Sequence, residues 1–214
     1  MKALLYKQLR LVCHPMTPVF CLFGIMVLIP NYPYTIIFFY VMLGLFFTFL
    51  NIREQKDIYY SALLPVPKRD TVKAGCVLTA LVELLSLAVL VPCALLAVRL
   101  QPGKDNLVGM DPNLALFAAG LLMYAIFNAV FLTSFYRSGY KVGAAFVKAL
   151  IPVTLLMIVC EALPHFPMLT WLDDLDGATQ MRLLPVLIVS AVIYAVLTLW
   201  AYRKSAVLYE NVDL

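Results

Sequence analysis

The chain has 214 residues, 64% of them hydrophobic and 13% charged, with a formal net charge of +4 and a mean hydropathy of +0.93. An average soluble domain carries about 25% charged residues, so this composition excludes a water-soluble globule. It also excludes a nucleic-acid binder, whose basic face would be interleaved with exposed aromatics, because most aromatics here lie inside apolar runs.

The uncharged stretches set the plan. No Lys, Arg, Asp or Glu occurs in the 42 residues between Arg10 and Arg53, the 25 between Asp111 and Arg137, or the 20 between Arg182 and Arg203. A helix crossing about 30 Å of hydrocarbon needs roughly 20 such residues. The expectation is an all-α polytopic membrane protein. Residues 1–214 form a single transmembrane domain of six spans, preceded by an N-terminal interfacial helix.

Residues 1–14 read as that interfacial helix: Leu4, Leu5, Leu9 and Val12 share one face, and Lys2, Lys7, Arg10 and His14 lie mostly on the other. The basic start followed by residues 19–29 resembles a signal peptide, but no small-x-small cleavage site follows, so a retained span is expected. The spans are predicted at 16–29, 34–50, 71–98, 114–136, 142–163 and 183–202. One helix over 16–50 would be about 52 Å long, far beyond the bilayer. Pro30 and Pro33 break it into a hairpin whose first leg is short. Pro92 and Pro152 fall inside later spans and are candidate kinks.

With six spans, and counting helix ends with their nearest side, 13 of the 16 Lys and Arg residues gather on the side holding both termini, 51–70 and 137–141. Basic loops stay in the cytoplasm, so both termini are expected inside. The other side holds Arg99, Lys104 and Arg182 with Asp105, Asp111, Asp173, Asp174 and Asp176.

Residues 51–73 are the most patterned loop. Arg53, Glu54, Lys56 and Asp57 form a polar patch, and Ile58, Tyr59, Leu63 and Leu64 follow at near-helical spacing. Pro65 and Pro67 end any helix there, and Asp70 or Thr71 can cap the next one. A short amphipathic helix on the inner membrane face suits docking of a soluble partner; an ordinary anchored loop is the plainer alternative.

Within the spans, Glu83 lies about 18 Å along the third helix. A charge there is costly, so Glu83 should face protein or a cavity, either as a gating residue or as a structural or protonated, hydrogen-bonded carboxyl. Asn128, Thr133 and Ser134 are polar groups of the fourth span that can bond across helices. Lys148 can snorkel toward the inside, and Glu161 sits near the outer end. Gly139 and Gly143 fit GxxxG, read as a tight turn with close helix approach in preference to a dimer seam.

Cys13, Cys21, Cys76, Cys93 and Cys160 form no metal-ligand pattern and read as small packing residues, with a Cys93–Cys160 disulfide left open. His14 and His165 fall on opposite sides and read as interfacial. The chain has no GxxxxGK[ST] phosphate loop, HExxH or GxSxG.

Glu54 followed by Leu63-Leu64-Pro65-Val66-Pro67-Lys68-Arg69-Asp70-Thr71-Val72-Lys73 resembles the loop signature of small bacterial ABC-2 type permeases, with Pro67 where the family often has Ser and Arg69 one place late. The six-span plan with inside termini matches that family along the whole length. The resemblance implies a membrane subunit of an ATP-driven exporter in the bacterial inner (plasma) membrane. Its partners would be a cytoplasmic ABC ATPase, a second permease subunit and the lipid bilayer. This chain would hold no cofactor; ATP and Mg would bind the partner.

By the same resemblance, 1–14 is an elbow helix and 51–70 the coupling loop. Arg53, Glu54, Lys56, Asp57, Ile58, Tyr59 and Leu63 would dock the ATPase, with Arg137 in a smaller contact around 136–141. Residues 164–182, with Trp171, Asp173 and Asp174, would form an outer gate. Candidate pathway or gating residues are Glu83, Asn128, Lys148 and Glu161. The cargo would be an amphipathic or hydrophobic peptide, lipid or drug. Two alternatives stand beside this reading: an intramembrane enzyme using Glu83, Glu161 and His165, and a sensor or scaffold without transport.

Overall fold

The computed structural model describes residues 2–100, 106–138 and 141–212, with the side chains of Lys2, Ile58 and Ala62 also outside the description. Lys104, Asp105 and Gly139 therefore fall outside it. The described chain is helical. Helices α1 (Lys2–Lys7) and α2 (Met16–Cys21) precede α3 (Ile36–Glu54), α4 (Asp57–Ala62), α5 (Lys68–Leu100), α6 (Leu114–Ser138), α7 (Val142–Ala162) and α8 (Gly177–Glu210).

Among the described residues, five helices are long and apolar enough to cross a membrane: α3, α5, α6, the stretch Val142–His165 that begins with α7, and α8. A sixth crossing is reached only by counting the bent pair Ala3–Val12 and Met16–Leu28, whose halves meet at 88°. The first predicted leg is thus the one that differs from a regular span. Its second half, Leu22–Leu28, winds as a 3-10 helix. That tighter winding stretches the leg to about 23 Å, still short of the hydrocarbon thickness.

Helix ends depart from the hydropathy limits for identifiable reasons. Helix α8 begins at Gly177 and ends at Glu210, beyond 183–202 at both ends, because polar but helix-compatible residues continue the winding past the apolar run. The predicted 164–182 loop is correspondingly shorter and carries 3-10 turns at Leu163–His165 and Thr170–Leu172. Helix α5 starts at Lys68, directly after Pro67, so Asp70 and Thr71 lie in its first turn and cap nothing.

The N-terminal helix also differs from its predicted face. After α1 the chain widens into a π turn over Gln8–Val12. The extra residue in that turn brings Gln8 inward with Val12 and leaves Leu9 exposed.

Helix α6 is the axis of the bundle, packed along α8 and against α7 and α3. Its Phe127, Phe131 and Phe135 recur every four residues, so their rings form one column on a single face. Phe49 of α3 meets Phe131 and Phe135 edge-on at 5.0 and 4.8 Å, and Phe146 of α7 closes the column beside Phe127. Apolar burial drives little association in lipid, so close fit must hold these helices. Gly120 shows that fit: a Cβ there would strike the ring of buried Phe38.

All five cysteines are free, so Cys93 and Cys160 form no disulfide. A Cβ on Gly143 would meet nothing within 4 Å, so no close helix approach is made there among the described residues.

Candidate functional site

The end bearing the termini is built around α4. The chain leaves α3 through Lys56 in the left-handed region (φ 52°), which turns it sharply into α4. Asp57 then points inward and pairs with Lys7 at 2.8 Å. Lys7 also donates to Ser61 Oγ at 2.6 Å, one helical turn along. Asn51 donates to the Val12 carbonyl at 2.9 Å, which fixes the same corner. The polar side of α4 is therefore consumed by the N-terminal helix.

The opposite side of α4 is exposed. Tyr59, Tyr60 and Leu63 are exposed, Leu63 at 85%, beside exposed Arg53, Glu54 and Lys56. Arg137 is exposed at the end of α6. Of the residues expected to dock a partner, Asp57 alone is shown turned inward. The sequence placed it in the polar patch because nothing local reveals that Lys7, 50 positions earlier, lies against it.

Mid-bundle, the structure brings Glu83 and Asn128 together. Asn128 Nδ2 donates to Glu83 Oε2 at 2.9 Å, and Tyr194 of α8 donates to the same oxygen at 2.8 Å. Asn128 Nδ2 also reaches Thr198 at 3.2 Å. Ser86 donates to the Glu83 carbonyl and bonds Tyr124. Glu83, Asn128 and Tyr124 are fully buried. Sequence reasoning missed Tyr194, since one tyrosine in an apolar run looks like an interface aromatic; its signal is a hydroxyl far from either end of its span. Thr133 instead bonds the carbonyls of its own helix.

Lys148 is exposed and joins neither group. Glu161 sits at the far end as a staple. Its Oε1 accepts from Thr35 N (3.2 Å) and Thr35 Oγ1 (2.5 Å), and its Oε2 from Met110 N (3.1 Å). Gly109 permits this, because a Cβ there would overlap Oε2. Asn106 donates to Tyr32 O and Met110 O, Asn113 Nδ2 to Leu172 O, and Asp173 accepts from Asp111 N. Glu161 and His165 line one pocket with Phe166 and Val108, remote from the Glu83 bonds, so the three residues of the enzyme alternative are not assembled.

An apolar groove of about 660 Å³ runs between α5 and α8 with α6 as its floor, from Leu84, Leu121 and Ala191 to Arg99 and Gln180 at the rim.

No curated protein and no solved structure matches this chain. A protein-family model described as ABC-2 family transporter protein matches residues 3–210. A match from the N-terminal helix to the end of α8, on a bundle of membrane-crossing length, identifies the chain as an ABC-2 family transporter, a permease embedded in the membrane.

Proposed function

We propose that this permease is the membrane subunit of an ATP-driven exporter in the bacterial plasma membrane, with both termini in the cytoplasm. It pairs with a second permease chain and with a cytoplasmic ATPase that binds ATP and Mg. The observation that supports this most is the two-sided character of α4. One side is tied to the N-terminal helix through Lys7, Asp57 and Ser61, while Tyr59, Tyr60 and Leu63 face outward. Exposed aromatics on a firmly anchored helix suit a docking knob, since aromatic anchors dominate binding energy at interfaces. Arg53, Glu54, Lys56 and Arg137 would form the polar rim, and Ile58 belongs to the same helix.

Movement of an ATPase against α4 would pass through the Lys7–Asp57 pair to the N-terminal helix and through α3 and α5 to the bundle. The cargo is amphipathic or hydrophobic; the apolar groove beside α5 and α8, within the usual ligand-site range of about 300–1,000 Å³, supports that class. Copurification from the native membrane tests the reading. The parent chain should retain an ATPase subunit, and Tyr59→Ala with Tyr60→Ala should reduce its recovery at least about tenfold, the equivalent of one lost anchor. Full recovery and full ATP-dependent export by that double variant would refute docking through α4.

A further inference from the structure

Two buried oxygens at the centre of the bundle have no hydrogen-bond partner among the described residues, Glu83 Oε1 and Asn128 Oδ1. They belong to two groups that already touch through their other atoms, Asn128 Nδ2 and Glu83 Oε2, 2.9 Å apart. Oε2 also accepts the Tyr194 hydroxyl at 2.8 Å. An oxygen receiving two donors has its lone pairs used, so any proton on this carboxyl would sit on Oε1. If the carboxyl were ionised, both orphaned atoms would be pure acceptors, and neither could satisfy the other. Unmet buried acceptors are rare in folded proteins.

One hydrogen resolves both. We propose that Glu83 binds a proton on Oε1 and donates it to Asn128 Oδ1, closing an acid–amide ring of two opposed hydrogen bonds at the centre of the membrane. Atoms balance simply: the carboxylate takes up one proton, and no other bond changes.

The surroundings favour a proton over another ligand. The described ion pairs are Lys7–Asp57 and Arg69–Glu210, so no described basic side chain pairs with Glu83. Among the described residues, the ionisable groups around it are neutral types: Cys76 on α5, Tyr124 on α6 and Tyr194 on α8, while Cys21 of α2 bonds the neighbouring Val82 carbonyl. A calcium or magnesium ion would demand about six oxygen ligands, and only two oxygens here are uncommitted; no cluster of three or more His, Cys, Asp or Glu occurs among the described residues to hold another metal. The site is therefore a proton lock. It joins α5 to α6 directly and to α8 through Tyr194, and loss of the proton would leave two acceptors opposed across the α5–α6 seam.

Difference infrared spectroscopy of the full chain in liposomes at neutral pH tests this. Subtracting the Glu83→Gln spectrum should reveal the carbonyl band of a hydrogen-bonded carboxylic acid, shifted in heavy water. A difference containing only carboxylate bands would overturn the proposal. Asn128→Leu, which keeps Glu83, should move the acid band toward its weakly bonded position; an unmoved band overturns the pairing. Glu83→Gln restores a donor and an acceptor and should keep the parent unfolding midpoint, whereas Glu83→Met should lower it; equal losses count against the ring. A midpoint of the parent chain that rises with sodium or potassium, lost in Glu83→Gln, would replace the proton with a cation.

Discussion

The two ends of this bundle are held by different chemistry. At the far end, side chains bond mostly backbone: Glu161 takes the amides of Thr35 and Met110, Asn106 holds two carbonyls, and Gln180 accepts from the first amide of α6. Such bonds fix the loops themselves and leave little freedom to move. At the end bearing the termini, side chains also bond side chains across helices, as in Lys7–Asp57, Lys7–Ser61 and Arg69–Glu210, beside the bonds of Asn51 to the Val12 carbonyl and Lys68 to the Val212 carbonyl. These tie one helix to another while the backbone of each stays whole. The first arrangement makes a fixed cap; the second makes jointed rods, with the exposed apolar side of α4 at the joint.

Substitutions can break or sharpen this contrast, most easily read as unfolding free energy in detergent. Lys7→Ala should have the largest effect. It strands the Asp57 carboxylate, one oxygen of which already lacks a partner, and breaking a largely buried pair costs about 3 kcal/mol. Glu161→Ala should cost about 2 kcal/mol, because several donors lose one charged acceptor but lie partly within reach of water. Gly109→Ala acts through the same carboxylate, since its Cβ displaces Oε2. It should cost no more than Glu161→Ala, and the double variant should equal the larger single loss, as expected for residues in contact. Additive losses would mean that the cap does not work as one staple. Arg69→Ala should be silent, because its pair with Glu210 lies at the surface, where ion pairs contribute little.

Much of this architecture was legible before any coordinate was known. Hydropathy and charge gaps locate the long helices, because every backbone group in lipid must bond within its own helix and the apolar run must match the bilayer. The proline pair at 30 and 33 announces the turn after the first leg. The 3-10 winding of Leu22–Leu28 and the π turn at Gln8–Val12 were not legible, since packing against α5 and α3 decides them and composition does not. At the polar sites the residues were visible but not their partners. Glu83 and Asn128 each stand out as polar groups in apolar runs, yet only the fold shows that they meet, with Tyr194 as third member. Asp57 was read as part of a polar patch, and only its long-range pairing with Lys7 reveals the inward turn. Local pattern reports which way a helix is polar; it does not report what its polar side finds.

Sidedness decides the account most directly. A cysteine placed at the exposed Tyr60 should react with a membrane-impermeant maleimide in inverted vesicles, above the background of the five native thiols, and should be shielded when the ATPase subunit is present. Added labelling in right-side-out cells, with none in inverted vesicles, would contradict an α4 that faces the cytoplasm.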